Sequence, residues 1–146
     1  MRIAICDDEI LQLELLKYYV EKWAKDRGIN PSIELFQSAE AFHFEWLEDS
    51  SYDIILLDIQ MAELSGIELA KLIREKDKHI QIIFVTAISD YIGEGYNVDA
   101  INYLIKPLSY KFYSINNFPN NLALLANTLL YFYISIISNR TINNIK

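Results

Sequence analysis

Residues 53–58 read "DIILLD". Ile54 to Leu57 form an apolar run with no polar alternation, the pattern of a strand covered on both faces in the middle of a parallel sheet. The run closes on Asp58, a carboxylate where a buried strand leaves its sheet. Downstream, "GIELAKLIREKDK" (66–78) has helical periodicity, and Ser65 with Glu68 has the spacing of a capping box at its start. Upstream, "RIAIC" (2–6) and "SIELF" (32–36) read as strands. "EILQLELLKYYVEKWAKDR" (9–27) reads as a helix stopped by Gly28, and "AEAFHFEWLED" (39–49) as a helix after Ser38 with Phe42, Trp46 and Leu47 facing a sheet. "IQIIFVT" (80–86), the weaker helix "SDYIGEGYNV" (89–98) and "INYLI" (101–105) complete five β/α alternations. This alternation predicts an α/β fold built on a parallel sheet.

Composition narrows the class. A chain of 146 residues, 52% hydrophobic and 13% aromatic, can bury a single-domain core. A formal net charge of −7 disfavours general affinity for nucleic acid or anionic lipid. Cys6 is the only cysteine and sits within the first strand, so it reads as a small buried hydrophobe, with no disulfide framework and a reducing, cytoplasmic setting. "MRIAICDDE" is too short between its basic and acidic ends for a secretory leader.

In a parallel α/β sheet, chemistry collects at the carboxyl ends of the strands. Here those ends carry Asp7, Asp8 and Glu9, then Asp58, then Thr86 and Ala87, then Lys106 and Pro107. Each has a plain explanation alone: a helix N-cap, a strand-end hydroxyl, a surface lysine. Together, three aspartates on one rim call for a hard divalent cation, best matched by Mg2+, which takes few carboxylates and keeps several waters. A hydroxyl and an ammonium beside that ion would bind the remaining oxygens of a phosphoryl group, and Asp58 would be the nucleophile that attacks phosphorus. "GEGYNV" (93–98) lacks the third glycine of a dinucleotide fingerprint. His43 and His79 have no metal-ligand spacing. An aspartyl-nucleophile phosphohydrolase is the alternative, but it would need a second carboxylate two residues after the first, where Gln60 stands.

The stretches "ICDDE", "DIILLDIQM", "LSGIELAKLIR", "IFVTA" and "YLIKP" resemble the receiver domain of bacterial two-component response regulators over residues 1 to about 108. "SIELFQSAEAF" and "VTAISDYIGEGYNVDAINYLIKPLSY" resemble the receivers of LytTR-type (LytR/AgrA-like) regulators. The resemblance implies a flavodoxin-like, CheY-like fold, a five-stranded parallel sheet in the order 2-1-3-4-5 with helices on both faces. It also implies Asp58 as phosphoacceptor, Asp8 as a direct Mg2+ ligand, Asp7 acting largely through water, and the backbone carbonyl of Gln60 as the remaining ligand. Lys106 would pair with the phosphoryl group, ahead of a cis bond to Pro107. Thr86 would be the switch hydroxyl and Tyr103 the aromatic that turns with it. The implied partners are a sensor histidine kinase and, through the face of helix 4 and strand 5, a second copy of the chain. Such a module accepts phosphate and loses it slowly rather than turning over substrate, and its output would control transcription. Ala62 departs from the pattern, standing where receivers commonly have proline.

Residues 111–146 form a divergent tail. All 20 acidic side chains precede it, and its only basic residues are Lys111, Arg140 and Lys146. Pro119 interrupts any fifth helix running on from Tyr110, and "LALLANTLLYFYISII" (122–137) is apolar on every side. Three readings compete: a rearranged fifth helix; a membrane or partner segment, though shorter than the roughly 20 residues needed to span; and an out-of-frame remnant in place of the fifth helix and output domain. The last is favoured. In each of them the chain itself is expected to bind no DNA specifically.

Overall fold

A computed structural model describes residues 1–108, 124–131, 133 and 134. Five strands, β1 (Arg2–Cys6), β2 (Ser32–Phe36), β3 (Ile54–Leu57), β4 (Gln81–Thr86) and β5 (Asn102–Ile105), alternate with α1 (Ile10–Lys25), α2 (Ala39–Glu48), α3 (Gly66–Lys76) and α4 (Ile92–Asn97). All strand pairs are parallel and the order is β2-β1-β3-β4-β5, as the resemblance implied.

Two cores lie on opposite faces, and the two-residue period of a strand divides its side chains between them. Ile3, Ile5, Ile54, Leu56, Ile83, Val85 and Leu104 point into the first, beneath Leu13, Leu16, Val20 and Trp23 of α1. Ala4, Cys6, Ile55, Leu57, Ile82 and Phe84 point into the second, beneath Phe42 and Trp46 of α2 and Ile67, Leu69, Ala70 and Ile73 of α3. Every residue of β3 is fully buried, which is why its sequence shows no alternation. Leu47 corrects the sequence reading. It is 49% exposed, because five residues beyond Phe42 the helix has turned it off the buried stripe that Phe42 and Trp46 share. α4 spans six residues, shorter than the periodicity suggested.

The described part of the tail is helical at 124–131, 133 and 134. Leu125 and Leu129 join the first core, and the Asn102 side-chain amide donates to the Thr128 hydroxyl at 2.8 Å. The expected interruption at Pro119 and most of the apolar run's flanks lie outside the described residues.

At the amino-terminal edge of the sheet, Arg2 ties three segments together. Its guanidinium meets Glu34 of β2 at 2.7 Å, reaches Asp49 and the Tyr52 hydroxyl before β3, and lies 4.0 Å over the Tyr52 ring. The Glu34 carboxylate beside it holds the guanidinium in its charged form, and Glu34 itself is held below the usual carboxylate range, chiefly by Arg2. Solvent screens this edge, so Arg2→Met is expected to cost only about 1 kcal/mol, a drop of about 4 °C in Tm by calorimetry. An unchanged midpoint would show the cluster to be idle.

Candidate functional site

The site is assembled where backbone hydrogen bonding continues just past the strands. Asp7 N–H donates to Phe36 O at 3.0 Å, Asp58 N–H to Cys6 O at 2.9 Å, and Lys106 N–H to Thr86 O at 2.8 Å. These bonds extend the ladders by one residue, so each functional side chain leaves a rigid strand end rather than a loose loop. Asp7 and Asp58 are 1% and 5% exposed, while Asp8 faces solvent.

Lys106 Nζ stands between the two buried carboxylates, 2.7 Å from Asp7 Oδ2 and 2.8 Å from Asp58 Oδ2. The other oxygen of each is held by backbone: Asp7 Oδ1 accepts from Glu9 N at 3.0 Å, and Asp58 Oδ1 from Ile59 N at 2.7 Å and Gln60 N at 3.3 Å. Burial pushes the Asp7 carboxyl above its ordinary value despite its bond to Lys106. Burial acts against the Lys106 ammonium as well, but its two carboxylate partners outweigh it and raise its pKa. The Lys106–Pro107 peptide bond is cis, as implied.

Thr86 is fully buried, and its hydroxyl accepts from Ile88 N at 3.4 Å. The Ile88 carbonyl accepts from the Tyr103 hydroxyl, so Thr86 and Tyr103 both engage the loop between β4 and α4. Tyr103 lies half-buried against Phe84, with its phenol pushed up to about 12 by burial and by the Asp58 charge. The structure thus brings Asp7, Asp58 and Lys106 into direct contact and leaves Thr86 hydrogen-bonded to the loop. Cys6 is wholly buried, its thiol against Ser38 O at 3.3 Å and driven upward by desolvation, in keeping with an inert role.

Two contributors escaped the sequence reading. Glu40 of α2 accepts from Leu64 N at 2.6 Å and pins the loop between β3 and α3; no spacing in the chain marks that pairing. The Ile88 carbonyl is a backbone atom, and its role depends on where Tyr103 points.

The carboxylates of Asp7, Asp8 and Asp58 each offer an oxygen within 4.8 Å of the others, two of them buried and one open to solvent. This all-oxygen set with an open side fits a hard divalent cation that keeps waters. Mg2+ at about ten times its dissociation constant is expected to raise Tm by about 5 °C. The increment should shrink as pH falls through the raised pKa of Asp7, because protonation there competes with the ion. Scanning fluorimetry of the chain and of Asp8→Ala checks this. A shift that survives in the variant would place the cation elsewhere.

Comparison with known proteins shows the family and the fold. Residues 3–111 match the family described as the response regulator receiver domain. Among curated relatives, the sensory transduction protein LytT of Bacillus cereus is 30% identical over 109 residues, which are 73% of this chain and 42% of the relative. The transcriptional regulatory protein LytR of Staphylococcus aureus is 32% identical over 111 residues, 76% of this chain and 43% of the relative. The chain therefore spans less than half the length of these relatives. Among solved structures, the response regulator TrrA of Thermotoga maritima, in complex with Mg2+ and BeF, is 32% identical with a TM-score of 0.63, covering 76% of this chain and 89% of that one. The response regulatory domain of mrkE from Klebsiella pneumoniae shares the fold at TM-score 0.72 and 23% identity, covering 92% of this chain and 97% of that one. No helix among the described residues is long and apolar enough to cross a membrane.

Proposed function

The chain belongs to the response regulator receiver family, and from its site we propose that Asp58 accepts a phosphoryl group from a sensor histidine kinase. The observation that carries this reading is the Lys106 ammonium held between the buried carboxylates of Asp7 and Asp58 at the strand ends. An Asp58 oxygen attacks phosphorus, and the bond from phosphorus to the donor's nitrogen or oxygen breaks. The electron pair leaves with the donor, which takes a proton, and Asp58 becomes an acyl phosphate. Lys106 pairs with a phosphoryl oxygen, as its position against Asp58 supports. The amides of Ile59 and Gln60, already directed at the carboxylate, orient it. Asp7, Asp8, Asp58 and the Gln60 carbonyl would hold Mg2+, which when bound supplies charge neutralisation for the phosphoryl oxygens.

The readout runs through Thr86 and Tyr103. A phosphate on Asp58 offers new acceptors to the Thr86 hydroxyl, and the loop that both residues hold through Ile88 follows. This changes the face made by α4 and β5, through which a second copy of the chain would dock. The output is control of transcription by way of that surface, with no specific DNA contact from this chain itself. Residues 1–110 act as the receiver. The tail beyond them is a divergent segment, and the helical, buried Leu125 and Leu129 support reading its described part as a rearranged fifth helix packed on the first core.

Incubation with a small phosphodonor and Mg2+ is expected to give one acid-labile phosphate per chain, then a plateau with only slow loss. Sustained hydrolysis of the donor would instead favour a phosphohydrolase.

A further inference from the structure

Gly66 opens α3 immediately after the Ser65 cap, and its surroundings explain why no side chain stands there. A Cβ at this position would lie 2.0 Å from the Asp58 carbonyl oxygen, 2.9 Å from its carbonyl carbon and 3.0 Å from Ile59 Cα. All three atoms are backbone, so no side chain can swing aside. Gly66 N–H also donates to Ile59 O at 3.0 Å, which locks the first turn of α3 onto the 59–60 peptide, while its Cα abuts the 58–59 peptide. The backbone of Gly66 is not in the left-handed region; the glycine is required by close approach, not by φ.

Those two peptides set the site. Ile59 N of the 58–59 peptide and Gln60 N of the 59–60 peptide both donate to Asp58 Oδ1, so the placement of these two peptides determines where the carboxylate points. The Gln60 carbonyl belongs to the next peptide along, so its position depends on where these two are held. α3 is itself anchored, by the reciprocal Ser65–Glu68 capping box and by the burial of Leu69, Ala70 and Ile73 in the second core. A methyl at residue 66 therefore cannot be relieved by moving the helix alone, and the 58–59 peptide must shift with it.

We propose that Gly66 is a positioning residue for Asp58: the bare Cα lets α3 abut the 58–59 and 59–60 peptides, whose N–H groups hold the phosphoacceptor carboxylate and which lead into the Gln60 carbonyl. The inference rests on the reading of Asp58 given above. Displacements of about 1 Å at a reacting centre can cost a hundredfold in rate.

The experiment compares the full chain with Gly66→Ala, and with Gly93→Ala as a control in which the new methyl meets nothing within 4 Å. Two quantities are read per folded molecule: the rate of labelling by acetyl phosphate and the Mg2+ dissociation constant by calorimetry. Gly66→Ala is expected to label about tenfold to a hundredfold more slowly and to bind Mg2+ about tenfold more weakly, with Gly93→Ala matching the parent in both. If Gly66→Ala is unstable, the measurements are made in trimethylamine N-oxide, which favours the compact state. Parent-like labelling and Mg2+ binding in the folded variant would overturn the proposal, and so would failure to fold even with the osmolyte, which would make Gly66 a stability residue only. If the parent itself does not label, the phosphoacceptor reading fails instead, and the Mg2+ comparison alone decides whether Gly66 positions the carboxylate.

Discussion

Asp58→Asn is expected to reduce labelling by a small phosphodonor to below about one per cent of the parent, because the amide has no anionic oxygen to attack phosphorus. The substitution is isosteric. Its carbonyl oxygen can still accept from Ile59 N and Gln60 N, the two bonds that orient Asp58 Oδ1, and Lys106 retains Asp7 at 2.7 Å. The variant should therefore fold, so that lost labelling reports chemistry rather than collapse. Circular dichroism on the same samples makes the separation. Equal labelling of parent and variant would place the phosphate elsewhere and remove Asp58 from the mechanism.

Lys106→Met is expected to destabilise the metal-free chain by about 2 to 3 kcal/mol at pH 8, because removing one partner leaves two buried carboxylates without their shared cation. Methionine fills most of the volume, so the loss is electrostatic rather than a cavity. The pH dependence follows from Asp7, whose carboxyl is already raised by burial even with Lys106 beside it. Without the ammonium its folded-state pKa rises further, while in the unfolded chain it is unaffected. The folded state then binds more protons, and stability grows as pH falls from the raised value toward that of an ordinary carboxylate. The deficit should accordingly be largest at pH 8, narrow toward pH 5, and narrow also with millimolar Mg2+. Urea unfolding at several pH values, with and without Mg2+, checks both trends. A deficit indifferent to pH and to Mg2+ would mean that Lys106 contributes packing only.

The architecture was legible in the chain because burial on both faces of a parallel strand leaves a mark that needs no partner to be read. "DIILLD" shows it: Ile54 to Leu57 alternate between two cores, and both cores are apolar. The capping box of α3 was equally legible, since Ser65 and Glu68 satisfy each other within one turn. The identities at the rim followed from the same strand ends, which deliver Asp7, Asp58, Thr86 and Lys106 in order.

What tertiary structure alone decided depends on distance between segments far apart in sequence. Lys106 and Asp7 are separated by 99 positions, and only the sheet order brings the ammonium to both carboxylates. The hold of Glu40 on Leu64, and of Tyr103 on the Ile88 carbonyl, has no local signature because one partner in each is backbone. Leu47 looked like core but lies at the rim of its helical stripe, where a difference of one residue in phase sends a side chain to solvent. The reason "LSG" must end in glycine became visible only when α3 was seated on the Asp58 peptide: a missing side chain marks a close approach without saying to what.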